Sequence, residues 1–540
     1  MSYEKDHNKT SVDPTLYANE PVDEEVGVTK RGEALKKDLR SRHMQMIAIG
    51  GSIGAGLFIS AGGALANGGP ASLVICYIIV GIMLLFTMHA LAEMAVLYPV
   101  NGAFYTYIVR FVDPSWGFAV GLDYAISWLT VLPFELTAAS LTISFWRKDI
   151  NVAVWITVFL VVLIIIQIFG VRGYGEVEFI LSLIKICACI GFIIFGIVYN
   201  CGGVGDQGYI GAKYWYDPGA FNNGFNGFAG VFSVAAFAFA GTELSGLAAA
   251  ESANPRKAIP QATKQVFWRI LFFYVLNLLI LGLILPFNDE RLTEGSSSNT
   301  KYSPFVMAIQ DAGVQALPSV FNAVITISVI SVANSCTYGS TRTLQAMAER
   351  GMAPKLLAYV DKKGRPIYCV ILQLLFGALA YIGVAGNQGE IFNWLLSLSG
   401  LSYFFIWGSI CLAHIRFRAG WKAQGYNLAQ LPYTAPLGII GSSIGLGLNV
   451  LAIIATFYTA LYPSPNATPD AEAFFTQFLA APVILALYVF WKVYSRDRRM
   501  FLSVHEMDLK SGARMLMAND EPMPVKTWKN LPMRIVRALF

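Results

Sequence analysis

Three ionisable side chains lie deep inside apolar stretches, where charge is costly: Glu135, Lys185 and Glu243. An ionised group at the centre of a bilayer costs about 2.5–3.5 kcal/mol even on lenient scales, so such residues mark places that hold a charged solute or pass a proton. Two unusual runs accompany them. Gly50-Gly51-Ser52-Ile53-Gly54-Ala55-Gly56 puts four glycines in seven residues, and each glycine costs a helix interior about 1 kcal/mol relative to Ala. Phe237-Ala238-Phe239-Ala240-Gly241-Thr242-Glu243 ends in a carboxylate. Glycines at 50, 51, 54 and 56 face every side of a helix, so close helix packing explains them less well than a broken helix does. Inside a membrane a break leaves N–H groups and carbonyls that must meet a solute or a protein partner. The chemistry on offer is recognition of a small charged molecule. No nucleophile–base pair or metal-ligand cluster suggests an enzyme.

Composition says what must position these groups. Of 540 residues, 55% are hydrophobic and 14% charged, where about 25% charged is usual in a globular domain. Mean hydropathy is +0.54. That excludes a soluble enzyme, a disordered chain and a nucleic-acid binder. The seven cysteines (76, 187, 189, 201, 336, 369 and 411) show no metal-like spacing and read as small apolar side chains. The first 43 residues are polar, so no signal peptide is expected.

A bilayer core needs about 20 apolar residues per helix. From Met44 to Met88 there is no Asp, Glu, Lys or Arg, and Asn67-Gly68-Gly69-Pro70 divides this run into two spans. Further spans are expected at 115–146, 152–171, 177–199, 224–249, 267–287, 317–343, 366–385, 390–413, 436–461 and 474–493, making twelve. With both termini in the cytoplasm, 33 of the 39 Lys and Arg fall inside and five outside, and Lys185 falls in a span. That asymmetry sets the orientation. The sequon Asn466-Ala467-Thr468 then lies in the last external loop. Residues 1–43 read as a disordered cytoplasmic tail whose basic end, Arg31 to Arg42, lies near anionic lipid. Residues 44–493 form the twelve-helix domain, with repeat one at about 44–199, repeat two at about 224–413 and helices 11–12 at about 436–493. Residues 494–540 are a cytoplasmic tail with amphipathic pieces such as Trp528 to Phe540. Spans one and six carry the two breaks and are equivalent in a five-plus-five inverted repeat.

Several segments together resemble the fungal amino-acid permeases, the yeast amino-acid transporter family of the amino acid–polyamine–organocation superfamily. They are the glycine-rich break behind a basic tail, Phe239-Ala240-Gly241-Thr242-Glu243, and Leu132-Pro133-Phe134-Glu135-Leu136-Thr137. Two more are the cytoplasmic Ala250-Glu251-Ser252-Ala253-Asn254-Pro255-Arg256-Lys257-Ala258-Ile259-Pro260 and His414-Ile415-Arg416-Phe417-Arg418. The likeness covers about residues 35–510 and is closest to the general amino-acid permease branch. The chain ends Ala538-Leu539-Phe540, without the terminal Cys of some relatives.

This resemblance implies an all-α polytopic membrane protein with a LeuT-like core: ten helices in two inverted halves, helices 1 and 6 broken, and two peripheral helices. It implies multi-pass residence in the plasma membrane and import of amino acids with protons. No cofactor is expected beyond the co-transported proton. The expected partners are the amino acid, membrane lipid and a ubiquitination machinery acting on Lys5, Lys9, Lys30, Lys36 and Lys37, with no nucleic acid.

The residues support that expectation independently. Desolvating the carboxylate and ammonium of an amino acid without partners costs several kcal/mol. N–H groups in Ser52-Ile53-Gly54-Ala55-Gly56 suit the carboxylate, because a helix N-terminus attracts anions. Carbonyls around Phe237, Ala240, Gly241 and Thr242 suit the ammonium, with Glu243 as direct or water-mediated partner or as organiser of the break. Phe237 or Phe239 is a candidate aromatic gate. Glu135 reads cationic side chains, moves protons or pairs structurally. Lys185 exchanges a proton, as a span-five lysine is thought to do in prokaryotic relatives, or simply bridges helices. Asn334 and Ser335 in span eight and Ser397 and Ser399 in span ten are candidate pocket groups. Asp123, Glu93, Glu176 and Glu178 lie nearer span ends, where interfacial roles are expected, and His89 reads as a satisfied interior histidine. The rival functions are a permease for a polyamine, choline or GABA-like amine, and a transport-inactive or dual-function sensor of the same fold.

Overall fold

The computed structural model describes residues 39, 41–292, 303–385, 388–463 and 469–514. The described residues form helices and their connections, without a strand; one isolated bridge joins Leu39 to Ser252. Helix α1 is Ser41–Gly50, α2 is Ala55–Phe58 and α3 is Ser60–Leu97. Ala103–Phe111 forms α4, Pro114–Ile143 α5, Val152–Ile168 α6 and Gly170–Asn200 α7. The second half holds α8 (Gly224–Phe239), α9 (Leu244–Leu247), α10 (Pro255–Arg269), a π-wound turn at Ile270–Val275, and α11 (Leu276–Ile284). Then follow α12 (Pro304–Asp311), α13 (Leu317–Glu349), α14 (Ile367–Gly377), α15 (Gln388–Ala423), α16 (Gly438–Leu461), α17 (Ala471–Phe478) and α18 (Ala480–Ser495).

Helix fills most of each of the twelve expected stretches. Among the described residues seven helices are long and apolar enough to cross a membrane, and Val152–Ile168, Ile367–Ile382 and Ala480–Ser495 are shorter apolar helices. Burial separates centre from rim. In α5, and in α8 with its continuation to Glu251, 89% of the most apolar window is covered by protein, against 28% in α7 and α16. Helix α5 therefore lies inside the bundle, packed on α13, α15 and α18, while α3 packs on α8 and α1 on α7 and α10. Asp113 fixes the start of α5: its carboxylate accepts the Trp116 N–H at 2.9 Å, and Pro114 fills the first helical position.

The expected division at Asn67-Gly68-Gly69-Pro70 is a kink at which two helical segments meet within Ser60–Leu97. Gly69 alone leaves helical geometry (φ 80°, ψ 169°), and a Cβ there would lie 2.8 Å from the Ala220 carbonyl oxygen. The neighbouring segment satisfies the interrupted backbone: Ala71 N–H donates to Ala220 C=O at 2.9 Å, and Asn222 N–H donates to Gly68 C=O at 3.0 Å.

Three of the four acidic residues expected near interfaces are fully buried instead. Glu93 accepts two bonds from Arg418, one from the Ala435 N–H at 2.6 Å, and faces His414 Nε2 at 3.1 Å. Asp123 accepts from Ser402 at 3.1 Å, and Glu178 joins the Lys185 network below. The helices run past the expected span ends, α7 beginning at Gly170, and other protein covers those ends. Only Glu176 stays at the surface, 2.5 Å from Arg42. His89 is buried, with Nδ1 2.8 Å from the Tyr433 hydroxyl, as expected.

Leu39 and the segment 502–514 each meet the ends of helices. Leu39 pairs by backbone with Glu251 C=O (3.1 Å) and Ala253 N–H (3.0 Å), and the Glu251 carboxylate holds Arg342 at 2.7 Å. Residues 502–514 run across the ends of α3, α4 and α15. Leu502 N–H donates to Val112 C=O, Arg514 N–H to Leu97 C=O, and Tyr98, Arg110, Arg416 and Gln424 donate to carbonyls of the segment.

Candidate functional site

The two glycine-rich runs are breaks, and they face each other. Between α1 and α2 the chain unwinds at Gly51–Gly54, with Gly54 at φ −153° and ψ −144°. Between α8 and α9 it unwinds at Ala240–Glu243, where Gly241 takes φ +90°, a conformation that side chains resist. A Cβ on Gly56 would sit 2.6 Å from Ala238 Cα, so α2 and α8 touch backbone to backbone there. A Cβ on Gly54 would overlap Val332 Cγ2 and lie 3.7 Å from Glu135 Oε1. These glycines thus serve both the break and close packing.

Ser52, Gly54, Gly56, Trp128, Val131, Glu135, Phe237, Ala240 and Val332 enclose a central cavity of about 10 Å³. That is room for one water-sized group, so an amino acid requires the walls to part. Six of the nine were expected from the sequence. Trp128 and Val131 stand seven and four residues before Glu135, one face of a helix, a periodicity that points to them. Val332 comes from the other half of the chain, and nothing local in its sequence marks it.

Glu135 is the one carboxylate among these nine residues and is fully buried. The Ala55 N–H at the first break faces it, and its Oε2 has no hydrogen-bond partner among the described residues. Lys185 acts on it electrostatically from behind the wall. The Lys185 ammonium donates to Ser331 Oγ at 2.8 Å, and Ser331 donates to Glu178 Oε2 at 2.6 Å. Glu178 Oε1 lies 3.7 Å from Lys185 Nζ and accepts from Ser182 at 3.2 Å. All four side chains are fully buried. The lysine therefore stands between two carboxylates, tying α7 to α13.

Glu243 does not line the cavity. It accepts from Tyr124 O–H (2.9 Å), Gly241 N–H (3.2 Å) and Trp407 N–H (3.4 Å), which binds the second break to α5 and α15. Thr242 meets Arg269, and the buried backbone of Ile53 and Ala55 completes the first break. Phe237 lines the cavity and packs edge-on against Phe134 (4.9 Å), whereas Phe239 turns away onto Tyr274 (4.3 Å). The Phe237 carbonyl accepts the Ala240 N–H at 3.2 Å and keeps its second lone pair.

The remaining candidates lie elsewhere. Asn334 follows Val332 by two residues and so points away from the cavity, accepting from Gln167 at 3.1 Å. Ser335 meets Tyr174 (3.3 Å) and Ser399 meets Thr130 (3.5 Å). The side chain of Ser397, the sequon at Asn466 and the five tail lysines fall outside the described residues.

The family profile "Amino acid permease" matches residues 43–504. The chain is 49% identical over 512 residues to the general amino-acid permease GAP2 of Candida albicans, covering 95% of this chain and 86% of that one. It is 52% identical over 498 residues to the cationic amino acid transporter 1 of Schizosaccharomyces pombe, covering 91% and 84%. A manganese transporter of Eremococcus coleocola superposes with a TM-score of 0.53 at 13% identity, over 84% of this chain and 94% of that one, a likeness of fold. Twin broken helices in an all-helical LeuT-like transporter fold, a permease profile over most of the length, and relatives near half identity lead to one conclusion: the chain belongs to the amino acid permease family.

Proposed function

We propose that this permease imports amino acids across the plasma membrane by proton symport, through twelve spans with both tails in the cytoplasm. One observation carries the coupling: the Glu135 carboxylate faces the Ala55 N–H inside the cavity. An incoming amino acid brings its own carboxylate to that break. Two carboxylates in one closed, water-poor site retain a proton between them. Substrate and proton therefore bind together, and neither moves efficiently alone. Freed carbonyls at Phe237 and Ala240 take the ammonium. Glu243 acts as organiser of the second break, since its acceptor sites are engaged by Tyr124, Trp407 and Gly241.

The substrate range is broad on this reading. Apart from Glu135, the Ser52 hydroxyl (which meets Tyr274) and the Trp128 N–H, the walls offer the apolar surfaces of Trp128, Val131, Phe237 and Val332, which accept many side chains. Uptake of a panel of radiolabelled amino acids and amines, in a transport-deficient cell at several external pH values, tests the proposal. Acid-stimulated accumulation of several amino acids supports it. Uptake of amines alone, or binding without uptake, overturns it.

A further inference from the structure

Arg269 counts with the cytoplasmic basic residues by sequence, yet its side chain is fully buried at the depth of the span-six break. Its guanidinium donates to Thr242 Oγ1, between Gly241 and Glu243. It lies 5.9 Å from the centre of the Tyr274 ring, and Glu243 acts on it electrostatically. Burying a guanidinium costs several kcal/mol unless the site needs the charge.

The helix is locally rewound to put it there. Residues Ile270–Val275 form a π turn, in which i and i+5 share a face. In a regular α-helix residues five apart point about 140° away from each other. The rewinding brings Arg269 and Tyr274 to one side of span seven. From that side the Tyr274 hydroxyl meets Ala238 C=O (2.9 Å) at the second break and Ser52 C=O (3.2 Å) at the first. A single face of span seven thus serves both breaks, and α10 also packs on α1, whose C-terminal end carries partial negative charge.

Broken helices leave carbonyl ends that carriers commonly satisfy with a bound cation. Here the second break also holds the Glu243 carboxylate. We propose that Arg269 is a resident cation. Its guanidinium permanently fills the place where a bound metal ion would otherwise be required, balances Glu243, and keeps the second break folded while the substrate site opens and closes. Arg269 is a positioning residue, since it does not line the cavity. Lys185 cannot take over this duty, because Ser331 and Glu178 hold it on the far side of the first break.

This inference rests on the transport reading above, and its test separates the two. Arg269→Ala, Arg269→Gln and Arg269→Lys are compared with the parent for surface level, amino-acid uptake and melting temperature of the purified protein. Ala and Gln should lower uptake by about a hundredfold, the loss expected when a buried charge loses its partner. Lys should retain about tenfold more uptake than Gln, because it keeps the charge. Millimolar guanidinium should restore uptake by Arg269→Ala and raise its melting temperature, leaving the parent unchanged. The melting temperature reads cation occupancy even if the parent transports nothing, in which case the transport reading alone fails. A Gln variant as active as the Lys variant, or an Ala variant indifferent to guanidinium in both measurements, overturns the resident cation.

Discussion

Replacing Glu135 by Gln keeps an acceptor for the Ala55 N–H and nearly the same volume, but removes the group that binds the proton. The magnitude follows from the site. One carboxylate among the nine wall residues implies one proton per substrate. A gradient of one pH unit then supplies about 1.4 kcal/mol, and a potential of 100 mV adds about 2.3 kcal/mol for the charge that crosses. Their sum corresponds to an inside-to-outside ratio of roughly 500 for a zwitterionic amino acid. Glu135→Gln should bring that ratio to about one, while counterflow of labelled against unlabelled substrate persists and loses its dependence on external pH. The assay is accumulation in transport-deficient cells, with surface level measured in parallel and a protonophore control. If Glu135→Gln still concentrates substrate, and the protonophore abolishes that accumulation, coupling does not reside at Glu135, and the Lys185–Glu178 pair takes its place.

Gly54→Ala asks only the Val332 side chain to move, so the protein should reach the surface with uptake of every substrate reduced; Gly56→Val drives a side chain into the Ala238 backbone and should be lost from the surface altogether. Lys185→Met leaves the buried Glu178 unpaired, costing about 3–5 kcal/mol, so folded yield should collapse; Lys185→Met with Glu178→Gln should recover the yield, and no recovery would show that the pair is not coupled. Glu243→Gln loses charge-assisted bonds from Tyr124 and Trp407 and should weaken all amino acids alike, whereas selective loss of cationic substrates would make Glu243 a reader of side chains. Arg at all five positions Lys5, Lys9, Lys30, Lys36 and Lys37 should preserve transport and slow loss from the surface after amino acids are added, and unchanged turnover would place the modification elsewhere.

The parts legible in the sequence were those with local causes. Four glycines in seven residues announce a break whatever surrounds them, and Glu135 and Lys185 stand out because nothing else near them is ionisable. Hydropathy marks a span by its apolar stretch, and so assigns charges near the ends of that stretch to the interface. Glu93, Asp123 and Glu178 defeated that rule because Arg418, Ser402 and Lys185, distant in sequence or two turns away, accompany them into the interior. Arg269 was counted with the cytoplasmic charges, since it stands at the very start of the expected span 267–287. The Tyr274 hydroxyl at the π turn beside it meets Ser52 and Ala238, partners that the local sequence does not reveal. Asn334 and Ser399 look like pocket groups by polarity alone, but helical phase turns Asn334 to α6 and Ser399 to α5.

The segment from Leu502 to Arg514 is held mainly through its own main chain: its N–H groups and carbonyls meet Val112, Leu97, Tyr98, Arg110, Arg416 and Gln424, and only Met507 and Leu509 bury side chains deeply. A ribbon fastened this way is indifferent to most of its letters and sensitive to their number. Apart from Asp508, whose carboxylate accepts the Lys510 and Ser511 N–H groups, point changes to residues other than proline outside those two positions leave the main-chain donors and acceptors in place, whereas adding or deleting one residue displaces all the downstream ones together. Related chains should therefore diverge here by substitution while keeping a constant length, and a permissive site for fusing a reporter begins only after Arg514.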